Sequence, residues 1–417
     1  MRLLIFILIF PFLLCAESTM LLIPPFKHSW GIHKGTEKEL QLFLGPDARF
    51  ENPEGLAVVR LKSWDDPSTE ADDDEVTVYG VNSGQGEVIF NSSMYSLNLY
   101  RGDGERAFAN PHGITGNSDG LVYVADTDNH RVVKLHNDGK QLKFVGTVGE
   151  TILSSPWGVA LDSQGNLYVS DYDQGKVVIF APDGKYKEDF PATFDHPTAI
   201  AVVDQNETWS YFAENLLAVI DSSGKRLSLF NFLGELIGKT NYKKIGLKEA
   251  SFQYLAFDYY NNLYVTDKVN CKVHKFTRKL VYLGGFGSCG TGENQFEEPR
   301  GIAIYRKYGQ VFIAERASAQ YYWIGVDITD FSAKMDEDSL RIDFNLTETA
   351  FVTLKLKSKG NSLTIKDREK IKPGKVIMNI PKRFIKPGNY EILLEAEPTY
   401  SSRGNFKKEL KGRINID

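Results

Sequence analysis

The sequence predicts an all-β protein: a six-bladed β-propeller over residues 39–327, followed by a small β-sandwich over residues 329–417. Three observations predict it. A phrase of four short apolar runs recurs along the first part of the chain, no long stretch repeats at a helical period, and after about residue 328 the phrase gives way to simple alternation. With 417 residues, 42% of them hydrophobic and 25% charged, the chain can bury a large core and has the length for two domains. Its 36 glycines, 20 tyrosines and 26 phenylalanines suit short strands joined by tight turns.

In chain order, Arg2 precedes an apolar run from Leu3 to Leu14 that is too short for a membrane-spanning helix. Residues 1–18 therefore read as an export signal, with cleavage after Ser18. A lipidated Cys15 is the alternative, against which stands the bulky Leu14 before it. The expected location is secreted or periplasmic, with a lipid anchor through Cys15 as the second possibility and no membrane-spanning segment in the mature chain.

The clearest copy of the phrase runs Pro111-His112-Gly113-Ile114, Val122-Tyr123-Val124-Ala125-Asp126, Asn129-His130-Arg131-Val132 and Phe144-Val145-Gly146. The next runs Pro156-Trp157-Gly158-Val159, Leu167-Tyr168-Val169-Ser170-Asp171 and Lys176-Val177-Val178-Ile179. Each holds four strands separated by turn residues, which is one antiparallel blade. Anchored two residues after the leading proline, six copies begin at Gly55, Gly113, Gly158, Ala199, Tyr254 and Gly301, spaced by 58, 45, 41, 55 and 47 residues. Those are blade lengths. The first copy carries an acidic insertion, Asp65 to Glu75, and the fourth is worn, with Tyr211-Phe212-Ala213-Glu214 read as its second strand. Because the sixth copy runs out after its third strand, the segment 40–45, Leu40-Gln41-Leu42-Phe43-Leu44-Gly45, is expected to supply the outermost strand of blade six and close the ring.

On the phrases of blades two and three, the chain resembles the NHL-repeat family, over roughly 290 residues in all. That resemblance implies a propeller with the first strand of each blade innermost. It implies no single activity, because the family includes lyases, lactonase relatives and pure binding modules. The amidating lyases of the family hold zinc with histidines from several blades, but only His112 follows a leading proline here. His130 lies in a loop phrase, His136 and His274 in third strands, His196 before its proline, and His28 and His33 ahead of the ring, so three histidines on one zinc are not expected. From residue 329 the runs Leu340 to Phe344, Phe351 to Leu356 and Tyr390 to Leu394 alternate as half-buried strands. The segment Ile385-Lys386-Pro387-Gly388-Asn389-Tyr390 resembles the Ig-like domains that follow propellers in bacterial extracellular proteins.

Loops entering the innermost strand and loops leaving the second strand emerge on one face of such a ring. Equivalent positions then place Glu54, His112, Trp157, Thr198, Gln253 and Arg300 around the channel mouth, a mixture of acid, bases and aromatics that suits a polar ligand pocket. The competing reading is that these side chains pair with one another, Glu54 with Arg300 for instance, and plug the channel. A second ring, Asn82, Asp126, Asp171, Glu214, Asp267 and Glu315, ends the second strands and is expected mostly to hold its own loops in place. Asp126-Thr127-Asp128 and Asp171-Tyr172-Asp173 offer oxygen ligands, but no twelve-residue calcium loop with a closing Glu follows. No cofactor is expected, a single divalent cation being the alternative. No P-loop, nucleophile elbow or paired-cysteine redox motif is present, and no catalytic residue is assigned.

Outside the signal, Cys271 and Cys289 are the only cysteines. Counting along the hairpin of blade five brings them near each other, so a disulfide is expected, as an oxidising compartment favours. A net charge of −5 without a basic aromatic run excludes nucleic acid. In the C-terminal segment 18 basic residues face 13 acidic ones, and a docking or stabilising module is expected there. The function expected is an extracytoplasmic binding or scaffold protein that engages a protein or polysaccharide through the loop face. The alternative is a lyase or lactonase-like hydrolase at the channel mouth, with or without a metal.

Overall fold

The computed structural model describes residues 20–23, 34–64, 76–93, 96–358, 360–401 and 406–416. The export signal, Cys15, His28, His33 and the insertion at 65–75 lie outside the described residues. The rest forms a six-bladed propeller followed by a β-sandwich. Blade two shows the pattern: Pro111–Gly116 innermost, then Leu121–Asp126, Arg131–Asn137 and Leu142–Val148, each antiparallel to the last. The same order repeats in blade one from Pro53–Val59, in blade three from Pro156–Leu161, in blade four from Ile200–Val203 and in blade five from Phe252–Phe257. Innermost strands touch in sequence around the ring, and that of blade six, Ile302–Tyr305, touches that of blade one.

The propeller has no single core. Apolar residues pack in wedges between consecutive blades, such as Tyr79, Phe90, Val122 and Leu135 between blades one and two. Tyr123, Val169, Val178 and Phe180 fill the next wedge. The alternation of each strand therefore serves two neighbours, one per face, which is why the second and third strands are apolar almost throughout. At the channel the blades approach closely. A Cβ on Gly113 would lie 2.6 Å from the carbonyl oxygen of Trp157 in the next blade, so the glycine of the phrase is required by the neighbouring backbone.

Closure differs from expectation. Residues Glu37–Leu44 form an α-helix, and the fourth position of blade six is taken by Leu22–Ile23 and Lys34–Thr36, both antiparallel to Ser318–Ile324. The ring is closed by N-terminal chain, but not by residues 40–45. The reason is local: Thr36 and Glu39 form a capping box, with the Thr36 N–H donating to Glu39 Oε2 at 2.8 Å, and six of the eight residues after Thr36 are Glu, Lys or Leu. Blade four also differs. Its second strand is Leu216–Asp221, and the expected strand at Tyr211 to Glu214 belongs instead to a loop of residues 204–215, where blades two and three have turns of residues 117–120 and 162–166.

The C-terminal sandwich pairs Ile328–Met335, Ser339–Leu346 and Gly374–Pro381 in one sheet. The second sheet holds Asn361–Ile371, Ala350–Ser358, Gly388–Pro398 and Lys408–Ile416. Their inward faces share a core of their own around Phe344, Val352, Leu354 and Ile392. This domain meets the turns that follow the innermost strands of blades five and six. Tyr260 Oη lies 2.6 Å from Thr399 Oγ1, Ser401 Oγ donates to Gly309 O, and Lys275 pairs with Glu348, both fully buried. Those turns lie on the side opposite the leading prolines, so the loop face is left uncovered by the sandwich.

Candidate functional site: the loop face of the propeller

The structure divides the expected inner ring into two working groups and two bystanders. Arg300 pairs with Glu54 across the blade six to blade one seam, and Tyr254 Oη, from the innermost strand of blade five, donates to Glu54 Oε2 at 3.0 Å. Glu54 is 6% exposed; burial pushes its carboxyl up, and Arg300 and the Tyr254 hydroxyl offset only part of that. Tyr254 holds the anchor position that is Gly in four other blades. Its ring, 7% exposed, reaches across the channel. The plug is therefore a three-residue cluster, and its third member was visible in the sequence only as a departure from glycine.

The second group is aromatic. His112 and Trp157 lie with ring centroids 3.7 Å apart, Trp157 is 5.4 Å from Tyr172, and Tyr172 is 4.8 Å from His196. This track runs from the buried His112 to His196, whose side chain is 52% exposed. His112 Nδ1 lies 2.8 Å from Thr127 Oγ1, and that hydroxyl gives its own proton to Pro156 O at 2.6 Å. Thr127 can then only accept from the imidazole, so Nδ1 carries the proton. Burial drives the His112 pKa down to about 4, which keeps the ring neutral at physiological pH. Tyr172 follows Asp171 directly and its hydroxyl lies 3.3 Å from Ser223 Oγ, linking blade three to blade four.

Thr198 and Gln253 join neither group. Thr198 is buried and bonds through N–H and Oγ1 to Ile220 O, and Gln253 Nε2 folds back onto Ser251 Oγ at 2.8 Å.

The second ring has one repeated geometry. Asp126 accepts from Ala109 N at 2.7 Å and Arg131 Nε at 2.9 Å; Asp171 accepts from Ser154 N at 2.7 Å; Asp267 accepts from Ser251 N at 3.0 Å and faces His274 Nε2 at 3.2 Å. Asn82 accepts from Glu51 N at 2.7 Å and Glu315 from Glu297 N at 2.6 Å. Each side chain ties the loop that leads into its own blade. Burial raises the Asp267 carboxyl, but bonds from His274, Ser251 and Asn270 outweigh it and hold the pKa below the ordinary value. Glu214 is the exception. It pairs with Arg278 away from this ring, and Asp221, at the true end of the second strand, takes the expected place with Arg226 as partner. Among the described residues no three His, Cys, Asp or Glu side chains converge as a metal site. Cys271 and Cys289 form a disulfide.

With this geometry in place, residues 108–135 and 153–180 match the family model described as NHL repeat, and they are the leading strands of blades two and three. This chain carries NHL repeats. No curated protein matches it significantly. Among solved structures, the NHL propeller resembles a streptogramin B lyase at 12% identity, over 67% of this chain and 96% of that one, with a TM-score of 0.47. It also resembles a gluconolactonase from Xanthomonas campestris at 14% identity over 66% and 88%, TM-score 0.47. A chain of a nidogen/laminin complex matches at 18% identity over 61% and 85%, TM-score 0.44.

Proposed function

We propose that this NHL protein is an extracytoplasmic binding or scaffold protein that engages a polysaccharide or protein partner across the loop face of blades two to four. The observation that carries the reading is the aromatic track His112–Trp157–Tyr172–His196, graded from buried to exposed on a face the second domain leaves open. Aromatic faces give large contact area at low ordering cost, and they suit the C–H faces of sugars as well as apolar side chains. Behind the track, Glu54, Arg300 and Tyr254 satisfy one another. Ligand is thereby met by a surface and not by an open channel. The disulfide and the N-terminal signal pattern support the extracytoplasmic setting.

A glycan and peptide array probed with the full chain tests this. Binding that falls at least tenfold in Trp157→Ala and Tyr172→Ala supports the reading, and binding that ignores both substitutions defeats it. The second reading is an enzyme at the channel mouth, favoured by one observation: a neutral buried His112 in blade two and, on the adjoining innermost strand of blade one, a buried carboxyl, Glu54, whose affinity for protons is raised. Stoichiometric metal in the purified protein, lost in His112→Ala, would support the metal-assisted form of that alternative.

A further inference from the structure

Five blades carry a β-branched aliphatic residue two positions before the residue that ends the second strand: Val124, Val169, Val219, Val265 and Ile313. Blade one has Gly80 there. The backbone does not demand it, since Gly80 has no positive φ and a Cβ would meet the Leu56 Cδ2 methyl at 3.1 Å but the Ile89 carbonyl oxygen only at 4.0 Å. Blade six is cut back in the same way. Its Ala319 occupies the third-strand position held by Val88, Val132, Val177, Leu227 and Val273 in the other blades, each paired with the residue just before the end of the second strand. Gly80 and Ala319 both line a cavity of about 270 Å³ in the wedge between blades six and one.

Val78, Ile89, Phe312 and Tyr321 form its walls, and the helix Glu37–Leu44, which touches Lys34–Thr36 of blade six and Ser96–Tyr100 of blade one, adds Leu40. In the wedge between blades one and two the equivalent Val122, Val124 and Val133 are 0% exposed, whereas Val78, Gly80 and Ile89 are half-buried, as are Phe312 and Tyr321. Apolar surface is thus open to solvent at the seam, where the neighbouring wedge is packed. Polar side chains at the wall are already engaged: Lys34 with Glu315 at 3.1 Å, Glu39 with the Thr36 N–H, Asn91 with Val78 N and Val76 O, and Gln320 with Gln295 O. A ligand with a charged group would lose water there and find those partners taken. We propose that the seam cavity binds a neutral apolar small molecule, a hydrocarbon ring with a short alkyl chain or its equal in size. Scaling from benzene, which occupies an apolar cavity of roughly 150 Å³, gives about ten carbon atoms for the occupant. The cavity lies at the blade six to blade one seam and is independent of the aromatic track of blades two to four.

The test is calorimetric titration of the full chain with indane and n-butylbenzene, with 4-butylbenzoate as the charged contrast. n-Butylbenzene should bind one to one with a dissociation constant of about 0.1 mM or tighter, within what a ligand of its size can supply. The benzoate should bind at least tenfold more weakly. Gly80→Val and Ala319→Val, which restore the side chains of the other blades, should each weaken n-butylbenzene binding tenfold or more while leaving the unfolding temperature unchanged or higher. Trp157→Ala should leave binding unchanged. No binding by either hydrocarbon, as when the chain's own residues already fill the space, would overturn the proposal. So would equal binding of the benzoate, affinity that survives both Gly80→Val and Ala319→Val, or a lowered unfolding temperature in both variants.

Discussion

Replacing Lys275 by Met should loosen the attachment of the sandwich to the propeller in a pH-dependent way. Lys275 and Glu348 are both fully buried; the ammonium donates to Glu348 Oε2 and stands 4.9 Å from the Tyr264 ring. Burial pushes Glu348 up to about 7 in spite of Lys275, and Asp258 close by is raised for the same reason. A carboxyl with a raised folded pKa takes up its proton more readily in the folded than in the unfolded chain. Stability through Glu348 is therefore full below about pH 4.5 and declines as pH rises to about 7, by on the order of 3 kcal/mol at about 1.4 kcal/mol per pH unit. Removing the cation leaves the acid without its partner, a change that costs about 3–5 kcal/mol in buried pairs. It also lifts the Glu348 pKa further, so the deficit at pH 8 should exceed that at pH 5 by at least about 1.4 kcal/mol. Urea denaturation of both proteins at the two pH values, with limited proteolysis at the domain junction, measures this. Lys275→Met/Glu348→Gln should regain most of the loss at pH 8. A deficit under about 1 kcal/mol at pH 8, a pH-independent deficit, or a double variant as weak as the single one would refute the argument.

Three further outcomes are expected. Cys271→Ser opens a link between residues 18 apart and should lower stability by about 3 kcal/mol in denaturant titrations; wild type in reductant should match it. His112 should titrate near pH 4 by NMR, and because the unfolded ring protonates near its ordinary value, stability should fall as pH drops from about 6.5 to about 4 and flatten in His112→Gln. A ring proton exchange midpoint near 6.5 in the folded protein would contradict the burial argument. Thr36→Ala, which removes the side-chain half of the capping box, should cost about 1 kcal/mol, while Leu40→Ala, which empties a site 3% exposed against the closing seam, should cost about 2–5 kcal/mol.

The loop-face residues divide in the same way between what sequence discloses and what it hides. Asp126, Asp171 and Asp267 were recognisable because their partners lie within about twenty residues, in the loop leading to the same strand. Equivalence by repeat allowed the Glu54–Arg300 pair as one of two readings of the inner ring, since ring geometry makes the first and last blades neighbours. Tyr254 was not placed, because its bond to Glu54 joins residues 200 apart and its position gave only the absence of glycine as a signal. The track through Tyr172 to His196 needed the relative rotation of two blades, which strand periodicity does not encode.

Sequence by itself determined the blade count, the strand order within blades two and three, the cysteine pair and the change of architecture near residue 328. All of these rest on short-range patterns: alternation, turn residues and hairpin counting. Tertiary structure decided which piece of the N-terminus closes the ring. Leu40 to Gly45 reads like the outermost strand at Phe144 to Gly146, but the edge of Ser318–Ile324 pairs with Lys34–Thr36, and the capping box at Thr36 starts a helix over Glu37–Leu44. It also decided that Tyr211 and Glu214 belong to a loop facing the second domain, and that Lys275 meets Glu348. The physical reason is common to these cases. A β-rich run has unsatisfied backbone donors on either side, and which partner satisfies them depends on chain brought together from far away, where local propensity is silent.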